Sequence, residues 1–330
     1  MGSAANITFT IMYSITMLVS LVGNILLISI VWRRPDVRSL TGFMFVNMAV
    51  ADLLVTLVVI PYTISDFYTH GVWPVMTGLV GEITCKTVLF IAFFTISTSI
   101  ICLTFMAVDR FYAVVYPFRG LLWFRRPKIL TPLVWILSMA FMCIVPVLAD
   151  FNSKNRCVFK FSILGDASRV FRVLYIYFFI INYLLPVSII SILYTITARK
   201  LWFHEVPGDV EQNRPQLQLT KRKVLRMLII VFSVFALCWL PGQVFQLYLA
   251  VTEGVKDLPV VQVACLWFGY NNSAINPWLY ICMNSKMCNA FSSMIGSKVR
   301  LEKRDSRLKN NGTIEGIQDN NLWYYCWKFF

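Results

Sequence analysis

Seven stretches of twenty or more mostly apolar residues, divided by short polar or turn-forming segments, constrain this chain more than any other feature. A bilayer core about 30 Å thick takes roughly 20 apolar residues of helix to cross. The stretches run over 11–32, 40–65, 82–115, 128–149, 170–199, 218–250 and 258–283. With 58% of residues hydrophobic and only 14% charged, the chain is far more apolar than a soluble domain. The expected fold class is an all-α membrane protein, a seven-transmembrane helix bundle spanning 11–283.

Orientation follows from the basic residues. If the N-terminus is outside, 23 of the 30 Lys and Arg residues fall on the cytoplasmic side, the bias that cytoplasmic loops carry. The other seven are Lys86, Lys154, Arg156, Lys160, Arg169, Arg172 and Lys256, at or near the outer face. The expectation is a multi-pass plasma-membrane protein with its N-terminus (1–10) extracellular and its C-terminus cytoplasmic. Met1 to Asn6 is polar rather than basic-then-apolar, so no removable signal peptide is expected. The net charge of +14 then reflects topology and attraction to anionic inner-leaflet lipid rather than nucleic-acid binding. Asn6-Ile7-Thr8 fits a glycosylation acceptor on the outer side. Asn271-Asn272-Ser273 and Asn311-Gly312-Thr313 fit the same pattern but fall in the membrane and the cytoplasm.

Asp52 lies in the middle of the second stretch, where an ionisable group costs about 2.5–3.5 kcal/mol on insertion scales and marks a functional site by default. Further features form a pattern with it: Gly23-Asn24 in the first stretch, Asp109-Arg110-Phe111 closing the third, Cys238-Trp239-Leu240-Pro241 in the sixth and Asn276-Pro277-Trp278-Leu279-Tyr280 in the seventh. In these motifs the chain resembles the rhodopsin-like (class A) G-protein-coupled receptors, and among them the neuropeptide-receptor group. Trp135, Pro186 and the pair Cys85 and Cys157 extend the resemblance, which covers about residues 10–296. Phe111 departs from it, standing where the family usually has Tyr.

The resemblance implies a set of roles. Cys85 and Cys157 would form a disulfide holding the second extracellular loop over the bundle. Asp52, Ser99, Asn272 and Asn276 would make an ion pocket, whose oxygen ligands suit a hard cation such as sodium; a water-filled polar network is the alternative. Trp239 would be the switch aromatic above it, with Pro186, Ile100 and Phe235 as its transmission core. Pro186, Pro241 and Pro277 would act as pivots, since proline removes a backbone hydrogen bond and permits a kink. Tyr194 and Tyr280 match tyrosines that approach each other on activation. Asp109, Arg110 and Phe111 would couple to a heterotrimeric G protein as helix 6 moves outward, and arrestin and a receptor kinase would be further partners. Lys221 occupies the position where some members carry an acidic restraint for the Arg, so the inactive-state restraint is expected to rest on Asp109 and apolar contacts.

Around Cys157 charged and apolar residues alternate with a period of two over Arg156 to Phe161, which suggests a short strand or hairpin; an irregular loop is the alternative. Residues 284–296 alternate basic and apolar side chains, as a short amphipathic helix 8 would, with Phe291, Met294 and Ile295 on the inner leaflet. A polar cytoplasmic tail, 297–330, ends in LWYYCWKFF.

The ligand is constrained by exclusion. Ala92 stands where amine receptors place an Asp, and Tyr270 where opsins carry the retinal Lys, so neither ligand class is expected. The pocket positions Ala92, Phe93, Gln243, Gln246, Gln262 and Tyr270, with a mixed-charge rim that includes Glu253 and Asp257, suit the amide and apolar groups of an extracellular peptide. A lipid or other non-amine small molecule is the alternative ligand. A transporter or channel is the rival class, but no internal repeat or second set of intramembrane charges supports it. His70 and His204 are the only histidines, so no His-based catalytic or metal cluster is available and no enzyme is expected.

Overall fold

The computed structural model describes residues 2–69, 72, 78–116, 126–203, 214–252 and 258–294, with backbone alone over 214–217. Trp73, Pro74, Pro117, Phe118, Glu253, Asp257, Ile295, both histidines and the 297–330 tail lie outside the described residues.

Among the described residues eight long helical stretches follow one another, besides two short 3-10 turns: α1 Ser3–Arg33, α2 Leu40–Thr69, α3 Gly78–Val115, α4 Pro127–Leu148, α5 Ala167–Phe203, α6 Arg214–Val251, α7 Pro259–Met283 and α8 Ser285–Met294. Among the described residues six helices, α1 to α6, are long and apolar enough to cross a membrane. The seventh, α7, carries Asn271, Asn272, Ser273 and Asn276 in its middle. It packs against both α1 and α6, which closes the bundle, and three of those four polar residues are buried there.

Local chemistry sets the helix ends. Arg38 donates from its guanidinium to the carbonyls of Val31 and Trp32, two of the acceptors that the last turn of α1 leaves unsatisfied. Ser39 starts α2, its Oγ accepting from the Gly42 amide at 3.1 Å, and Asp166 starts α5 by accepting from the Arg169 amide at 2.7 Å. Arg222 of α6 reaches back to the Leu201 carbonyl near the end of α5. Prolines stand in the opening turns of α4 and α7, where a missing N–H is harmless.

Two helices widen where the sequence implied regular turns. Val55–Val59 in α2 and Ile180–Leu184 in α5 are π-helical, with the Ile60 amide bonding to Val55 and the Leu185 amide to Ile180. Each sits just before a proline, Pro61 or Pro186. A proline ring collides with the carbonyl four residues back, and a wider turn relieves that collision. The outer end of α1 also starts earlier than residue 11, at Ser3. Asn6 is a buried helical residue whose Nδ2 donates to the Phe67 carbonyl at 2.8 Å. This contact ties the outer end of α1 to α2.

Between α4 and α5 the chain forms the hairpin that the alternation suggested. Strand β1, Ala149–Phe151, pairs antiparallel with β2, Cys157–Phe159, matching Asp150 to Val158. Asn155 takes positive φ in the connection, and the Asn152 side chain accepts from the amides of Lys154 and Arg156, as Asn residues do in tight turns. At the other end α8 is capped by Asn284. Its Phe291 is buried rather than laid on lipid, while Met294 is exposed.

Candidate ligand and transduction sites

The candidate side chains fall into three layers through the bundle. At the outer layer a disulfide joins Cys85 at the start of α3 to Cys157 of β2, with Cα atoms 5.4 Å apart. Because β2 is held both to β1 and to α3, its Phe159 presses on Phe93 of α3 at 6.0 Å between ring centroids. Phe93 also meets Phe178 of α5 at 4.9 Å. Ala92, beside it, is half-buried and offers no counter-charge. Gln243 of α6 is buried with an unpartnered Oε1, Gln246 is half-buried, and Gln262 is exposed on the first turn of α7. The pocket positions therefore divide: Gln243 and Tyr270 are buried in the bundle, Ala92, Phe93 and Gln246 are half-buried, and Gln262 is at its surface.

Asn182 was not foreseen. It lies in the π-helical turn of α5, buried, with its Nδ2 3.8 Å from Met142 Sδ and its Oδ1 unpartnered. A lone Asn in an apolar helix gives no sequence signal of which way it faces, and the extra residue of the π turn changes that facing.

The middle layer centres on Trp239. Tyr270 meets it edge-on at 6.2 Å, and Tyr13 of α1 meets Tyr270 at 6.1 Å. The hydroxyl of Tyr13 donates to the Val263 carbonyl at 2.9 Å, fixing α1 to α7. Phe235 and Ile100 are buried below, with the Phe235 and Trp239 rings 6.4 Å apart. Gly269 lets α7 approach the indole: a Cβ there would fall 2.7 Å from Trp239 Cζ3.

Beneath, Asp52 is buried and its Oδ1 accepts from Ser273 Oγ at 2.6 Å. Ser273 was passed over in the sequence, where it read only as part of a sequon. Thr56, Ser20 and Asn24 continue the network from α2 into α1, with Asn24 Nδ2 donating to the Ser273 carbonyl at 3.1 Å. Ser99, Asn272 and Asn276 are buried as well. Asn276 faces the carboxylate without a well-aligned hydrogen bond, and Asp52 Oδ2 and Asn272 Oδ1 are unpartnered. One carboxylate and several neutral oxygens form a donor set that fits a hard monovalent cation better than a soft metal. Among the described residues no group of three His, Cys, Asp or Glu side chains exists for the latter.

At the cytoplasmic layer Arg110 Nη2 bonds both Asp109 Oδ2 at 2.5 Å and Thr41 Oγ1 of α2 at 3.1 Å. Thr41 is thus a second hydrogen-bond partner of Arg110 besides Asp109. Nothing in the sequence marks it, since it precedes Arg110 by 69 positions. Tyr280 stacks on Phe45 at 3.9 Å and Tyr194 meets Phe232 edge-on at 6.0 Å, so the two tyrosines rest against different helices. Phe111 packs on Tyr112 and Tyr116.

The family model described as 7 transmembrane receptor (rhodopsin family) matches residues 23–280. The chain belongs to this family. As a rhodopsin-family receptor it is a multi-pass membrane protein and not an enzyme. It is similar to the substance-P receptor of Aquarana catesbeiana, 28% identical over 84% of this chain and 68% of that protein. It is likewise similar to the tachykinin-like peptides receptor 86C of Drosophila melanogaster, 27% identical over 92% of this chain and 63% of that protein. Somatostatin receptor type 1 of Rattus norvegicus is 31% identical over 89% of this chain and 72% of its own length.

Proposed function

We propose that this receptor binds an extracellular peptide beneath the β1–β2 hairpin and activates a heterotrimeric G protein through outward movement of α6. The observation that carries the reading is its likeness, across most of its length, to receptors named for the peptides substance P, tachykinin and somatostatin. The half-buried Phe93 and the buried Gln243 and Tyr270 support it, because aromatic and amide groups read peptide side chains and backbone without a fixed charge. The N-terminus is taken as extracellular and the C-terminus as cytoplasmic, on the distribution of Lys and Arg.

In this mechanism peptide binding shifts Trp239 against Tyr270 and Phe235, and α6 pivots at Pro241. Arg110 then leaves Asp109 and Thr41 for the G protein. A bound sodium ion would be held by Asp52 with Ser99, Asn272 and Asn276, and it would supply positive charge that opposes collapse of the polar layer. Arrestin and a receptor kinase are proposed as partners on family grounds alone, and anionic lipid as a partner of the basic cytoplasmic face.

A peptide library screened against nucleotide exchange in membranes tests the reading. We expect a peptide to stimulate exchange and Arg110→Ala to abolish that response while much of the peptide binding remains. Intact coupling in Arg110→Ala, or stimulation by a lipid and by no peptide, would overturn it.

A further inference from the structure

At the end of the bundle that holds Arg110, two further cations tie helices together. Arg222, in the third turn of α6, donates to the Leu201 carbonyl of α5 from Nε at 3.1 Å and from Nη2 at 2.9 Å. Its guanidinium carbon lies 5.8 Å from the centre of the Trp202 ring, within the reach of a cation–π contact. Lys200, the residue before Leu201, donates from Nζ to the Val115 carbonyl of α3 at 2.9 Å.

Both acceptors belong to helix ends. Leu201 lies two residues before the last of α5, and Val115 is the last of α3. Each carbonyl is therefore among the four that a helix C-terminus leaves without an intrahelical donor, where a cation also meets the negative end of the helix dipole. The two links differ in order. Arg222 is half-buried, and two N–H groups of its planar fork converge on one oxygen with an indole beside them, which fixes it more closely than a single ammonium contact does. Lys200 is exposed, so water competes for its ammonium. Lys221, next to Arg222, has the same sign as Arg110, so no attraction between those two side chains holds α6 to α3.

We propose that Arg222 is a positioning residue for coupling: by covering the open carbonyl of Leu201 and lying against Trp202, it holds the Arg110 end of α6 to α5 in the resting receptor. An α6 that leaves α5 uncovers that carbonyl and gives up the Trp202 contact, so the link stabilises the resting arrangement alone. The role in coupling rests on the α6 movement proposed above, whereas the link to α5 is independent of it.

The test uses the full chain in nanodiscs without added peptide. Spin labels on non-natural side chains replace Phe203 and Leu219, both exposed, and the distance between them is read by double electron–electron resonance. Arg222→Ala should widen that distance and, in unlabelled receptor, raise basal nucleotide exchange roughly two- to tenfold, the range for one lost hydrogen bond. Arg222→Lys keeps the charge but loses the fork and should restore part of the difference. Trp202→Leu should act in the same direction, and adding it to Arg222→Ala should change little, since its partner is already gone. Thermal stability of each variant is measured to establish that it folds. A parent-like distance in folded Arg222→Ala, or an effect of Trp202→Leu that is equally large without Arg222, would overturn the proposal. So would a fall in exchange at a parent-like distance, which would make Arg222 a contact for the G protein instead. A widened distance with unchanged exchange would leave the link to α5 standing and overturn its role in coupling.

Discussion

Replacing Gly269 with Ala tests whether Trp239 is held in place by close approach of α7. The added methyl would lie 2.7, 2.8 and 2.9 Å from Cζ3, Cε3 and Cη2 of the indole, well inside the normal carbon–carbon contact of about 3.5–4.0 Å. All three atoms belong to the six-membered ring of Trp239, which is packed between Tyr270 and Phe235. Overpacking of this kind costs about 1–3 kcal/mol. If Trp239 relieves the clash by leaving its place, that cost falls on the present conformation alone and shifts the equilibrium roughly 5- to 150-fold. Basal nucleotide exchange, normalised to surface expression, should therefore rise in Gly269→Ala. Trp239→Phe removes the ring that is struck, so adding Gly269→Ala to that background should change exchange little. The reasoning is refuted if Gly269→Ala leaves basal exchange unchanged, or if its effect is equally large with Phe at 239.

Three further outcomes are expected. Thr41→Val removes one of the two bonds to Arg110 and should raise basal exchange several-fold, by the roughly 0.5–1.5 kcal/mol that a hydrogen bond contributes; Lys221→Ala, by contrast, should not. Gly23→Ala would place a methyl 2.7 Å from Pro277 Cγ and 2.9 Å from Trp278 Nε1, and should lower the thermal midpoint of the purified receptor through about 1–3 kcal/mol of overpacking. Asp52→Asn removes the one carboxylate of the polar layer and should abolish any dependence of peptide affinity on sodium while sparing its dependence on general ionic strength, as read by peptide binding in sodium against potassium salts.

The legibility of this receptor was uneven, for physical reasons. Asp52, Arg110, Trp239 and Pro277 stand out in the sequence because a charge, a large indole or a proline inside an apolar helix is costly. Their partners do not stand out. Ser273 and Thr41 are small hydroxyl residues of the sort that helices tolerate by bonding their own backbone, and only packing turns them toward Asp52 and Arg110. The contact of Asn6 was hidden for a related reason: a three-residue pattern carries no information about whether its amide is buried, and here its Nδ2 donates to the Phe67 carbonyl.

Sequence alone determined the seven spans, the strand alternation around Cys157 and the charged and proline positions within the spans, because bilayer thickness and local backbone chemistry act on consecutive residues. The tertiary structure decided which residues meet across helices. Phe9, Phe67, Tyr13, Tyr270 and Trp239 form one aromatic chain from the outer end of α1 to the centre of the bundle, drawn from positions 9 to 270. Each contact depends on the rotation of one helix against another and, in α2 and α5, on a π turn that changes that rotation. Such angles are set by side-chain packing between helices, which no local pattern encodes.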